Sequence, residues 1–363
     1  MAMVELQVNT QDLRQTRIVH APWPEPGPGE ILVSIDKFAL TANNISYAVT
    51  GASIGYWGFF PAEAPWGKVP VWGFADVVAS NAPDVNIGTR LWGFFPMASH
   101  LIMQPHVTRS GNIIDTAPHR QALPALYNSY MPTTGESAVM TQFEDARCIF
   151  LPLFATSFII HDYYLDNDFF GVDTIIIGSA SSKTGFGVAG MLKLHAGPKP
   201  RVIGLTSAPN VAFVEALGYF DEVATYDAIE SLPLSPAVSY IDMAGSQPIT
   251  ARVHHHYGDA MKVSTWVGAT HWEDARTRDE LPGAQPQFFF APAQFGKRTA
   301  DWGEGEPMRR ATAASLKLVM ALSDKITVRH AHGPAAAAAA YLAMLEGKTP
   351  PDQGIMLSLH NVA

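Results

Sequence analysis

Positions 178–185 read GSASSKTG, a run of small and hydroxyl-bearing residues between an apolar run and a stretch rich in glycine and alanine. These residue types suit an anion. Short side chains let the main chain come close, and N–H groups at a helix start favour negative charge. With β-branched Thr174 to Ile177 ahead and FGVAGMLKL behind, the stretch predicts a strand, a phosphate-binding turn and a helix. The letters are irregular. They depart from a strict G-x-G-x-x-G: serines stand at Ser179 and Ser182, Lys183 intrudes, and Gly185 closes the turn.

The elements that must position this turn follow at regular intervals. RVIGLTS from Arg201, EVATYD, VSYIDMAG, KVSTWVGATHW and PQFFFA read as further short strands, with helical stretches at 211–217 and 249–256. Apolar strands alternating with helices predict an α/β unit, a Rossmann-type doubly wound parallel sheet covered on both faces. Ligands of such sheets gather beyond the carboxyl ends of the strands. The residues expected there for a dinucleotide are Ser179, Ser181, Ser182, Lys183, Thr184 and Gly185 in the first turn. Thr206, Ser207 and Asn210 follow the second strand, Ala244 and Gly245 the fourth, and Gly268, Ala269 and Thr270 the fifth. His271 comes next and is a candidate to reach cofactor or substrate, although a histidine beside Trp272 also suits a structural place.

The second strand ends Leu205-Thr206-Ser207. Sites selective for NAD commonly carry an Asp or Glu here, on the ribose hydroxyls. No carboxylate stands at this point to repel a 2′-phosphate, while Thr206, Ser207, Asn210 and Lys183 offer hydrogen bonds and charge. NADPH is therefore the expected cofactor. The same residues also fit helix caps and a surface lysine.

At 363 residues the chain is longer than one usual core, so two domains are expected. It is 47% hydrophobic and 16% charged, and its net charge of −9 includes no basic block, which argues against nucleic acid. The one cysteine, Cys148, leaves no disulfide framework and no cysteine-rich zinc site. No apolar run is expected to approach the roughly 20 residues of a membrane span. The opening MAMVELQVNTQDLRQTR lacks a signal peptide's apolar core. A cytoplasmic enzyme is the expectation.

The first 150 residues have another character. After a proline- and glycine-rich lead, EILVSIDKFAL, VPVWGFADVVAS, TRLWGFF and HLIMQP read as strands of an antiparallel, barrel-like unit. A helix over 151–165 leads to the parallel sheet. In the tail, PAAAAAAYLAMLEGK predicts a helix and GIMLSL a final strand. The expected domains are 1–149 with 301–363, and 150–300.

The order PGPGEILVSIDKFALTANNISYAVTG, then VPVWGFADVVASNAPDVNIGTRLWGF with Gly88-Thr89-Arg90-Leu91, then AFVEALGYFDEVATYD and YLAMLEGKTPPDQGIMLSL, resembles the medium-chain dehydrogenase/reductase superfamily over nearly the whole chain. The likeness is strongest to its zinc-free quinone oxidoreductase and enoyl reductase branches. FALTANNI, VPVWGFA and GATHW further resemble a bacterial family of unknown function. The superfamily's surroundings also match GSASSKTG better than a G-x-x-x-x-G-K-[ST] loop, from which it lacks one glycine. The resemblance implies a GroES-like antiparallel β-barrel domain beside the Rossmann domain, hydride transfer from NADPH, and a homodimer. The dimer contact is expected at edge strands near PQFFFA.

Zinc-dependent members use a Cys and a Gly-His-Glu segment; here the stretches read Thr41-Ala42-Asn43 and Gly73-Phe74-Ala75, so no metal is expected. His254-His255-His256 cannot converge on one metal, and a surface or capping role is expected there. Without zinc, the developing oxyanion or enolate needs another electrophile. Tyr56, in GYWGFFP, resembles the active-site tyrosine of the zinc-free enoyl reductases; the alternative is a pocket wall among Tyr47, Trp57, Phe59 and Phe60. Asn43 and Asn44 occupy the loop that contacts nicotinamide or substrate in related enzymes, and Thr156 resembles a helix threonine facing the nicotinamide. Tyr127, Asn128 and Tyr130 are placed to line a cleft. The aromatic load points to a small apolar carbonyl or enone as substrate. A non-catalytic NADP(H)-binding sensor stays open as the alternative, because the glycine turn is altered.

Overall fold

The computed structural model describes residues 2–268 and 280–360. The chain forms two compact units, Met1–Ile149 with Thr327–Ala363, and Phe150–Ile326.

In the second unit, Thr174–Ile177, Arg201–Thr206, Glu222–Thr225, Val238–Asp242, Met261–Trp266 and Gln287–Phe288 pair in parallel. Numbered along the chain, these described strands lie in the order 3-2-1-4-5-6. The first strand is buried throughout, as expected of a β-branched run with helices on both faces. The helix Lys183–Leu194 carries little besides glycine, alanine and apolar side chains, and its neighbours come close to its backbone. Ser157, on the helix Glu144–Asp166, donates its hydroxyl to the Thr184 carbonyl at 2.9 Å. A Cβ at Gly190 would stand 2.8 Å from Leu318, on the helix Glu306–Ala321.

That last contact corrects the expected boundary at 301. The chain returns to the first unit only at Thr327, because Glu306–Ala321 packs here, with Ala311 wholly buried in the core beside the parallel sheet. The histidine run is also corrected. His254 is fully buried, its ring nitrogens meeting the Pro282 carbonyl at 2.9 Å and the Ser264 hydroxyl at 2.8 Å. Only His255 is exposed. The apolar-run expectation changes too. Glu144–Asp166 is long and apolar enough to cross a bilayer by length and composition, yet 72% of its apolar window is buried inside the protein. Core packing accounts for that apolarity.

The first unit is built on antiparallel pairings. Ile31–Leu40, Pro70–Ser80, Arg90–Pro96 and Ser129–Pro132 lie side by side, and His100–Met103 also pairs with Ile31–Leu40. One pair departs from the antiparallel expectation. Thr327–His332 and Gln353–Ser358 run parallel, because the alanine-rich helix Pro334–Leu345 carries the chain back between them.

Arg90, in the Gly-Thr-Arg-Leu segment, organises the charges of this unit. Its guanidinium binds Glu144 through two bonds of 2.7 and 2.8 Å, Asp76 at 2.8 Å and Asp36 at 2.7 Å. Lys37 adds bonds to Glu144 and Asp145 at 3.0 and 2.8 Å. The acidic first turn of Glu144–Asp166 is thus tied to two strands. Burial raises the Glu144 carboxyl, but hydrogen bonds from Arg90 and Lys37 outweigh it and hold the group below its usual 4.5.

A carboxylate whose folded pKa is depressed adds stability above its unfolded pKa and loses it as pH falls through the folded value. Arg90→Met should therefore lower stability by about 2–3 kcal/mol at neutral pH in urea unfolding, toward the low end for breaking an ion network since part of Arg90 meets solvent. The loss of wild-type stability on acidification below pH 4.5 should be shallower in the variant, because the depression of Glu144 goes with Arg90.

Candidate functional site

The site is built from the carboxyl ends of the parallel strands. Strands 1 and 4 are neighbours from which the chain winds in opposite directions, the place where an open α/β sheet leaves a crevice. The first strand runs into the 178–185 turn. Ser179 adopts a left-handed φ of 51°, where glycine would be at ease and an L-residue pays about 1 kcal/mol. Tyr226 braces it: its hydroxyl accepts the Ser179 N–H at 3.0 Å and lies 3.2 Å from Ser179 Oγ. Ser182 is the N-cap of Lys183–Leu194, and its Oγ accepts the Gly185 N–H at 3.1 Å. Gly185 has no room for a side chain, because a Cβ would stand 2.7 Å from the Ser179 carbonyl oxygen. Lys183 and Thr184, half-buried, open the helix.

The second-strand loop meets this turn. Asn210 donates its side-chain N–H to Ser181 Oγ at 3.1 Å, so two expected cofactor residues touch. Ser207 is half-buried beside them. Thr206 is 1% exposed, and its hydroxyl has no hydrogen-bond partner among the described residues. A buried hydroxyl left unpaired is costly. After the fourth strand, Asp242 takes the Ala244 and Gly245 N–H groups at 2.9 Å each and the Thr250 hydroxyl at 3.1 Å. Those two amides serve the turn. Gly268 follows the fifth strand, whereas Ala269, Thr270 and His271 lie outside the described residues.

The other candidates, Thr156 excepted, belong to the first unit. Tyr56 is 6% exposed, in a short 3₁₀ turn that follows Gly55. Its hydroxyl lies 3.0 Å from that of Tyr127. Its ring packs on Tyr47, with centroids 4.4 Å apart, and Phe59 and Phe94 complete the cluster around Tyr127. Trp72 donates its indole N–H to the Tyr47 hydroxyl at 3.4 Å. Burial raises the Tyr56 phenol, partly offset by the bond to Tyr127. The phenol is therefore protonated at neutral pH, with a proton to give and an oxygen that can accept.

Asn43 is half-buried, and its side chain partly offsets the burial that raises the Tyr47 phenol. Asn44 differs. Its amide oxygen accepts the Thr41 N–H at 2.7 Å and its amide nitrogen donates to the Pro70 carbonyl at 2.8 Å, so the fold uses it to cap the helix Ala42–Val49. Thr156 bonds back to the Pro152 carbonyl at 3.0 Å, as helix threonines do. Asn128 and Tyr130 serve Arg120, which also binds Asp115 and the Tyr127 carbonyl. Arg120 and Tyr226 escaped the sequence reading. Tyr226 had a signal, since it directly follows the third strand; Arg120 ends a short 3₁₀ turn and had none. Among the described residues no three His, Cys, Asp or Glu side chains group as metal ligands.

A family model described as "Protein of unknown function (DUF2855)" matches residues 38–350. No curated protein matches the sequence. Among solved structures, CurA from Vibrio vulnificus in complex with NADPH superposes with a TM-score of 0.60 at 14% identity, covering 99% of each chain. Mycobacterial Rv1454c complexed with NADPH gives 0.54 at 15% identity, over 98% of this chain and 99% of that one. The yhdH oxidoreductase from Salmonella enterica in complex with NADP gives 0.52 at 14% identity, over 98% of each. The chain shares the fold of these structures, a GroES-like unit with a Rossmann unit.

Proposed function

We propose that this chain, which belongs to the DUF2855 family, is an NADPH-dependent oxidoreductase that reduces an activated alkene, quinone or carbonyl of a small apolar substrate without a metal. The observation that carries this reading is the joined edge of the first two parallel strands. Ser181 and Asn210 meet there, Thr206 has a buried hydroxyl unpaired among the described residues, and Thr206 to Asn210 contains no carboxylate. That chemistry fits a phosphorylated ribose. The NADPH and NADP in the similar structures named above support it.

NADPH, when bound, supplies a hydride from C4 of its nicotinamide. This chain's residues do the rest. Ser181, Ser182, Lys183, Thr184, Ser207 and Asn210 would hold the phosphates and ribose, the lysine adding charge. Thr206 would give its hydroxyl a partner. Tyr56 would donate the proton that the reduced substrate takes up, a form of assistance worth about 10²- to 10⁴-fold. The metal-free reading is supported by Phe74, which fills the histidine position of the superfamily's zinc segment, fully buried with the Arg90 guanidinium 5.0 Å from its ring centre. We place the protein in the cytoplasm as a homodimer. Phe288, 39% exposed on the edge strand Gln287–Phe288, offers apolar surface for a second copy.

Two outcomes test this. Lys183→Ala should weaken NADPH binding about tenfold and NADH binding much less, read by quenching of tryptophan emission. Equal weakening would move the lysine from the 2′-phosphate to the pyrophosphate. Tyr56→Phe should lower kcat by about 10²-fold with little change in NADPH affinity, followed on a panel of enones, quinones and aldehydes. An unchanged kcat removes Tyr56 as donor; cofactor binding without turnover on any class favours a sensor.

A further inference from the structure

Three phenols, Tyr47, Tyr56 and Tyr127, are buried together in the first unit, each 6–7% exposed. A hydroxyl has one proton to give, so the 3.0 Å contact between Tyr56 and Tyr127 has a direction. Tyr47 already receives the Trp72 N–H and also interacts with Asn43 and Tyr127. Tyr127 is the best-held of the three. Its carbonyl takes a 2.9 Å bond from Arg120, and its ring is set between Phe94 and Phe59, with centroids at 4.6 and 5.4 Å.

We propose that Tyr127 is a positioning residue for Tyr56, donating its hydroxyl proton to the Tyr56 oxygen so that the Tyr56 proton is turned away from Tyr127 and out of the cluster. The inference rests on the reading of Tyr56 as proton donor. In the step itself the Tyr56 O–H bond breaks and its proton forms a C–H or O–H bond on the substrate that has received the hydride. The electron pair of the broken bond stays on the Tyr56 oxygen. A phenolate left in an apolar cluster is costly unless something donates to it, and Tyr127 is placed to do so. A solvent proton then restores the phenol. Beside this cluster a His119 ring nitrogen meets the Phe59 carbonyl at 3.3 Å, and the Arg120 guanidinium lies 5.5 and 5.0 Å from the Phe59 and Phe60 ring centres and pairs with Asp115 at 2.7 Å. Both stay in place in every variant below.

The direction of the bond can be read without turnover. 3,5-Difluorotyrosine placed singly at position 56 or 127 of the full chain reports its own ionisation by fluorine NMR. Tyr127→Phe takes a donor from Tyr56 and should raise the position-56 pKa by about one unit. Tyr56→Phe takes an acceptor from Tyr127 and should lower the position-127 pKa by a similar amount. Looser packing would admit water and lower both, so opposite signs are the signature of this bond. No shift, or both values falling, overturns the proposal. In turnover, Tyr127→Phe should reduce kcat about tenfold and leave NADPH affinity unchanged. If Tyr56→Phe leaves kcat intact, the donor reading fails first; if Tyr56→Phe is slow and the fluorine shifts are absent, only the role of Tyr127 fails.

Discussion

The carbonyl oxygen of Ser179 and the α-carbon of Gly185 come so close that a methyl group on the glycine would stand 2.7 Å from that oxygen. The start of the helix Lys183–Leu194 is aimed by this approach. Ser182 can then close the turn on the Gly185 N–H, and Ser181 reaches the second-strand loop through Asn210. Ser179 must take a left-handed backbone to make the turn, and Tyr226 holds it there with two hydroxyl contacts. The irregular lettering of the motif is therefore resolved structurally. Serines stand where their hydroxyls find partners, and Gly178 and Gly185 are kept where a side chain has no space.

Much of this was legible in the sequence. The six parallel strands, the helix Val211–Leu217 and the placement of the turn follow from β-branched runs broken by small polar residues. Period and composition carry such information directly. Other features depended on what lies across a contact. Asn44 looks like a site residue in a loop, yet both ends of its amide are used by Thr41 and Pro70. His254 looks like part of a surface cluster, yet Ser264 and Pro282 lie opposite and draw it inside. The boundary at 327 was hidden because Glu306–Ala321 has an ordinary amphipathic sequence, and only its partner Gly190 shows which unit it joins.

The two units contribute different physics. The parallel sheet offers small, hydroxyl-bearing tips and, at Thr206, a buried hydroxyl unpaired among the described residues, features that suit an anionic ligand. The first unit offers a dense aromatic cluster in which burial keeps three phenols protonated, a setting for delivering one proton and excluding water. Arg90 gives that unit its rigidity by joining two strands to the acidic start of Glu144–Asp166. In the proposed function, cofactor selectivity and proton delivery rest on separate cores, so substitutions in one should leave the other's chemistry intact.

Hydrogen–deuterium exchange of the whole protein, with and without saturating NADPH, tests the central claim most directly. A dinucleotide on the sheet edge predicts slowed exchange in 178–186 and 206–211, with the edge strand Thr327–His332 of the other unit unchanged. Equal exchange in both states, or protection confined to segments away from those two loops, would contradict it.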